Sequence, residues 1–154
     1  MKSLVFFSLL LSSFLLSAQN NFSEADARGV IDTFFEGFHK GDTLIMKSVM
    51  AENLPTQTVF TTKDGKNMIQ DGVGADFLKA IGSRPADQVW DERLLDYKVQ
   101  IDGNLAHVWT PYEFWYNGQF SHCGANAFTL AKFDDGWKIV HLIDSRRRSS
   151  CKAE

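Results

Sequence analysis

Glu113 and His122 are the two side chains in this sequence best suited to acid–base chemistry. They flank Asn117-Gly118, a dipeptide that favours a two-residue hairpin turn. Pairing Tyr116 with Gln119 and counting back sets Glu113 opposite His122. A carboxylate beside an imidazole orients the ring and raises its basicity, which proton abstraction requires. The alternative is a cross-strand ion pair near a solvated hairpin tip. The same register sets Trp109 opposite Asn126 and His107 opposite Phe128. A three-residue loop, Asp134 to Gly136, would then pair Phe133 with Trp137 and bring Asp144 opposite Asn126. That second pair either reads a ligand's polar edge or is a satisfied polar link between strands.

Side chains alternate between the two faces of a sheet. One face therefore gathers His107, Trp109, Glu113, Trp115, His122, Asn126, Phe128 and Asp144. Large aromatics with a few convergent polar groups are the composition of a small-molecule pocket. Ligand contacts are expected from Trp109, Trp115, Asn126, Phe128 and Asp144, joined by Phe35 from a covering helix. The other face takes Tyr112, Phe114 and Ile143, a patch suited to association with a second copy. In this register Tyr112 and Asp144 fall on opposite faces. A one-residue bulge would exchange the faces locally.

The elements that must hold these residues are readable in order. Ser23 is an N-cap, with Glu24 and Asp26 in the first turn. Ala27, Val30, Ile31, Phe34, Phe35 and Phe38 follow at helical spacing, and Gly41 ends the helix. Asp42 caps a shorter helix that Pro55 closes. Residues 56–62 and 66–70 form a hairpin around Lys63-Asp64-Gly65. A third helix is predicted over roughly 72–81. Strands over 89–101, 105–116, 119–133 and 137–146 then form a meander joined by Gly-containing turns.

The chain has 154 residues, enough for one domain with a sizeable core. Residues 1–18 read as a secretory signal, with cleavage after Ala18 and the domain over 19–154. The apolar run is too short to span a bilayer, so no membrane association is expected of the mature form. Loss of Lys2 takes the formal charge from −3 to −4, which disfavours nucleic acid as a partner. Arg146-Arg147-Arg148 is either a solvated strand end or an anion contact at the pocket rim. Cys123 and Cys151 are the only cysteines, and a periplasmic or secreted location makes a disulfide between them the expectation. No zinc spacing, Gly-rich phosphate loop or nucleophile elbow is present, so neither a metal nor a cofactor is expected.

Two helices, a hairpin, a third helix and a meander ending in "DDGWKIVHLIDSRRR" resemble the nuclear transport factor 2-like superfamily, nearer its SnoaL-like and lumazine-binding-like branches. The resemblance covers the chain after the leader and includes the "VWTPYEFWYNG…SHCGANAF" hairpin. It implies an α+β, cystatin-like domain: a curved sheet wrapped by three helices into a cone with an internal cavity. Its members include isomerases, dehydratases, hydrolases, cyclases and noncatalytic binding or association domains, so the fold alone does not give the function. Three functions follow. The first is binding of a small hydrophobic or aromatic ligand in the cone. The second is a cofactor-free lyase, isomerase or hydrolase using Glu113 and His122. The third is a homodimeric association module.

Overall fold

The structure is a computed structural model that describes residues 22–149 and Cys151. The expected leader, residues 1–18, lies outside the described residues. Helix α1 spans Glu24–Lys40. Ser23 and Asp26 close a capping box: the Asp26 N–H donates to Ser23 Oγ at 3.2 Å, and the Ser23 N–H to Asp26 Oδ2 at 2.8 Å. Gly41 ends the helix with φ 72°, a left-handed turn that glycine enters without Cβ strain. Asp42 caps α2, Thr43–Ser48, by accepting from Leu44 N and Ile45 N. The two helices cross so closely at Gly37 that a Cβ there would stand 2.6 Å from Met46.

Strands β1, Pro55–Thr61, and β2, Asn67–Val73, form the expected hairpin. Helix α3 covers Gly74–Gly82. The run expected as one strand over 89–101 is two, β3, Trp90–Leu94, and β4, Lys98–Asp102. Both pair with β5, Leu105–Tyr116. Pro111 explains the break. Its carbonyl faces this edge and accepts from Leu95 N at 2.9 Å, but it has no N–H to return, so the ladder is interrupted there. Strands β6, Gln119–Phe133, and β7, Gly136–Arg147, complete the meander.

The sheet order is β2-β1-β7-β6-β5-β3, with β4 on the same edge of β5 as β3. All pairings are antiparallel except β1 with β7. The sheet curls without closing and wraps α1. Ala27, Ile31, Phe34, Phe35 and Phe38 pack onto Val108, Phe128, Leu130 and Leu142 of its inner face. This is the α+β architecture that the order of elements predicts.

Two irregularities decide which side chains face that interior. Between β5 and β6 the register shifts by one residue after Trp115↔Phe120, so that Phe114, not Glu113, stands opposite His122. Ser121 is the extra residue. The shift turns Val108, Thr110, Tyr112, Phe114 and Tyr116 inward and Trp109, Glu113 and Trp115 outward. Between β6 and β7 the turn has two residues, with Phe133 opposite Gly136, and a second shift lies between Thr129 and Leu130. The two departures cancel. Asn126 faces Asp144 and Phe128 faces Leu142.

The tail folds back as the sequence implies. Cys123 lies opposite Arg147 and is bonded to Cys151, with Cα atoms 5.7 Å apart.

Candidate functional site

A cavity of about 300 Å³ lies between α1, α3 and the inner face of the sheet. One end is aromatic, built by Phe34, Phe35, Phe38, Phe77, Trp90, Phe114 and Phe128. Helical spacing delivers the first three, and strand alternation the last three. Arg84 fixes the rim. It donates to the carbonyls of Phe38 and His39 at the end of α1, at 3.2 and 2.8 Å, and lies over the Trp90 ring. The other end is polar, with Glu92, His122, Asn126, Asp144 and Arg146.

Asp144 is fully engaged. Its Oδ1 accepts from Thr58 Oγ1 at 2.5 Å, and its Oδ2 from Tyr112 OH at 3.1 Å and Arg146 at 3.4 Å. Tyr112 is buried, and burial together with the Asp144 charge pushes its phenol well above the ordinary range, so it acts here as a donor. Burial alone would lower Arg146, but Asp144, Tyr112 and Glu92 together hold its pKa up. This group ties β1, β5 and β7 together and leaves no net charge.

Glu92 differs. Its Oε1 accepts from Asn126 Nδ2 at 2.8 Å, which leaves Oε2 and the Asn126 amide oxygen for a ligand. Desolvation raises its pKa to about 7. The Asn126 bond opposes that rise, and the nearby Asp144 charge adds to it. The backbone is held from α1, where His39 Nε2 lies 3.0 Å from both the amide nitrogen and the carbonyl oxygen of Glu92. Burial lowers the His39 pKa, and the bond to the Glu92 backbone opposes that fall.

His122 stacks on Phe114 with ring centroids 4.8 Å apart, and its Nδ1 lies 3.1 Å from Ser121 Oγ. Burial, then the Arg146 charge, pushes its pKa down to about 4, so the ring is neutral across the physiological range.

The structure divides the expected site residues. Phe35, His122, Asn126, Phe128 and Asp144 line the cavity. Glu113, Trp109 and Trp115 do not, because the Ser121 bulge turns them to the outer face. Trp109 is 42% exposed. Trp115 lies under Arg93 and donates to Glu113 Oε2 at 3.2 Å. The expected Glu113–His122 dyad is therefore not formed. Tyr112 shares the inner face with Asp144, contrary to the expected register. Tyr112 and Phe114 also leave the outer patch expected to support association. Glu92 was missed. The available signal was its place in an alternating row, Trp90, Glu92, Leu94, where an acid interrupts an otherwise apolar face.

A wider groove of about 1020 Å³ runs between α2, α3 and the β6–β7 turn. It is larger but chemically diffuse. Its lysines and acids are spread along an open rim, and Lys138 is already bonded to Ser48 O and Asp135. The cone cavity, where polar groups converge, is the better candidate. Among the described residues no cluster of His, Cys, Asp and Glu could hold a metal ion, and no helix is long and apolar enough to cross a membrane.

Residues 28–146 match the family model described as SnoaL-like domain. No curated protein matches the chain. Among solved structures, a nuclear transport factor 2-like superfamily protein from Salmonella enterica serovar Typhimurium aligns at 18% identity and TM-score 0.62, covering 82% of this chain and 92% of that one. A similar protein from Cytophaga hutchinsonii aligns at 12% identity and TM-score 0.60, covering 81% and 99%. A candidate dehydratase of that family from Streptomyces avermitilis aligns at 14% identity and TM-score 0.57, covering 80% and 94%. At these identities the likeness is one of fold.

Proposed function

We propose, from the premise that this chain belongs to the SnoaL-like domain family, that it binds a small hydrophobic or aromatic ligand in the cone. Family membership supports a ligand-binding or lyase-type domain. The observation that carries the finer reading is the cavity itself. About 300 Å³ is lined by aromatic rings at one end and convergent polar groups at the other. Engineered cavities of roughly half that volume take up benzene, so this one suits about two fused rings. Fluorescence titration of Trp90, on the cavity wall, with a series of one-, two- and three-ring aromatics tests the reading. Quenching that saturates and peaks at two rings supports it; no saturable quenching with any of the series refutes it.

A second reading, cofactor-free proton transfer, is favoured by Glu92. A carboxyl near 7 inside a cavity is suited to take and return a proton at neutral pH. Glu92 replaces Glu113 in that role. Deuterium incorporation into an enolisable aromatic ketone in heavy water, dependent on Glu92, would support it. Export, with cleavage after Ala18, is part of the same proposal. It is motivated by the Cys123–Cys151 disulfide, a bond that persists in oxidising compartments.

A further inference from the structure

Arg146 lines the cavity, yet its side chain is 49% exposed, which sets it at the mouth of the polar end. Within the fold it makes one long bond, from Nη2 to Asp144 Oδ2 at 3.4 Å, and lies beside the Tyr112 hydroxyl. Asp144 does not depend on it, because Thr58 Oγ1 and Tyr112 OH already donate to its two oxygens. A guanidinium carries its N–H donors in a planar fork, and most of those of Arg146 are unused among the described residues. Side chains alternate along β7, so the row that turns Asp144 and Arg146 inward brings Arg148 to the same side, just past the strand's end at Arg147. His122, from β6, responds to both arginines. Burial and then Arg146 push its pKa down to about 4, Asp144 opposes, and Arg148 adds to the fall. Resting on the binding reading above, we infer that Arg146 and Arg148 form an anion subsite at the mouth of the cone, and that the ligand is an aromatic carboxylate whose rings fill the aromatic end and whose carboxylate seats on the Arg146 guanidinium.

The charges around the cavity favour an anion there. Arg84, Arg146 and Arg148 bring three positive charges, and Glu92 and Asp144 bring two negative ones. Arg84 donates to the neutral carbonyls of Phe38 and His39 and forms no ion pair among the described residues. Asp91 and Arg93 pair with each other on the outer face and do not alter the balance. Glu92 enters from the far side of the curled sheet, on β3, and its Oε1 is held by Asn126. The surplus is one positive charge, which a monoanion meets and a phosphate dianion would exceed. A carboxylate also has the right shape, since its two coplanar oxygens match the guanidinium fork and accept two parallel bonds. Seating it at the mouth leaves its outer edge in water, so the cost of burying a charge stays small.

The test is isothermal titration calorimetry of the disulfide-intact protein with three planar probes of one shape: 2-naphthoate, 2-naphthamide and 2-naphthamidine. They are anionic, neutral and cationic at neutral pH. At low salt the naphthoate should bind about tenfold tighter than the amide, the worth of a charge-assisted hydrogen bond at a half-exposed site. Added sodium chloride should narrow that margin. Arg146→Gln should remove it, and Arg146→Lys, which keeps the charge without the fork, should keep part of it. Because Arg146 also touches Asp144, Arg148→Gln is the second variant, and it should cut the margin about threefold. Naphthoate binding no tighter than naphthamide overturns the anion subsite while leaving the cavity as a binding site. Naphthamidine binding tightest does the same and assigns the charge preference to the acids. A naphthoate margin unchanged in both glutamine variants overturns the role of the arginines. Failure of all three probes to bind overturns the cavity reading as well.

Discussion

The amide of Asn126 donates to the carboxyl of Glu92 at 2.8 Å although β6 and β3 are not neighbours in the sheet. Strand β5 runs between them, and neighbouring strands are spaced about 4.8 Å apart. The bond forms because the sheet curls around α1 and turns side chains on alternate strands toward a common centre. It places a half-buried carboxyl on the cavity wall, and several expectations depend on that placement.

The first concerns stability as the pH rises from acid to neutral. Glu92 keeps its proton to about 7 in the fold, against an ordinary value of 4.5. A raised acid contributes stability that is fully present below its unfolded pKa and is lost as pH rises through its folded pKa. The loss falls between about pH 4.5 and 7 and amounts to roughly 3 kcal/mol at most. Glu92→Gln should therefore unfold at higher urea concentration than the parent at pH 8.5 and at nearly the same concentration at pH 4.5. An equal shift at both pH values would mean that the carboxyl is not desolvated.

The second concerns the acid side. His122 is held down to about 4, against 6.5 when unfolded, first by burial and then by Arg146. Its sign is opposite. The unfolded chain takes up the proton first, so stability falls as pH drops from 6.5 to 4. The two groups oppose each other over nearly the same window, and the parent should look flatter than either variant alone. His122→Asn should expose the loss with rising pH, and Glu92→Gln the loss with falling pH. The ring's own titration by NMR checks the premise directly.

The order of elements could be read from the sequence because each boundary has a local cause. Ser23, Gly41, Asp42, Asn117 and the glycine turns act within a few residues of themselves. The faces of β5 could not be read, because they depend on a single unpaired residue, Ser121, and no local signal separates a bulged hairpin from a regular one. The same kind of error between β6 and β7 did no harm, since the two-residue turn and the shift near Val140 offset each other. The alternating row Trp90, Glu92, Leu94 sets an acid on an apolar face, but its partner Asn126 is 34 residues away in the chain, which periodicity does not report.

Gly124 lies on the inner row of β6, between His122 and Asn126, where β7 leaves no room for a side chain. A Cβ at this position would stand 1.7 Å from the carbonyl oxygen of Ser145 and 2.9 Å from the Tyr112 ring. The first contact is backbone and cannot be relieved by a rotamer change. Gly124→Ala should cost more than about 3 kcal/mol, at the large end of single substitutions. Thermal unfolding close to that of the parent would show that the strands separate more easily than their register implies.

The disulfide ties the segment after β7 to the strand that carries His122. Cys123 and Cys151 are 28 residues apart in sequence, and closing a loop of that length restricts the unfolded chain by about 3.5 kcal/mol. Cys151→Ser should lower stability by that order in urea unfolding. Cys123→Ser should do so at least as much, because Cys123 is buried while Cys151 is only half-buried. The bond also has an electrostatic consequence. Arg148 contributes to keeping His122 neutral. Once the tail is released, Arg148 is no longer held near the ring, while Arg146 remains in β7 beside Asp144. The His122 titration in Cys151→Ser should therefore move upward, by less than in a variant lacking Arg146. A tail variant that loses stability but leaves the His122 titration unchanged would confine the disulfide to a mechanical role.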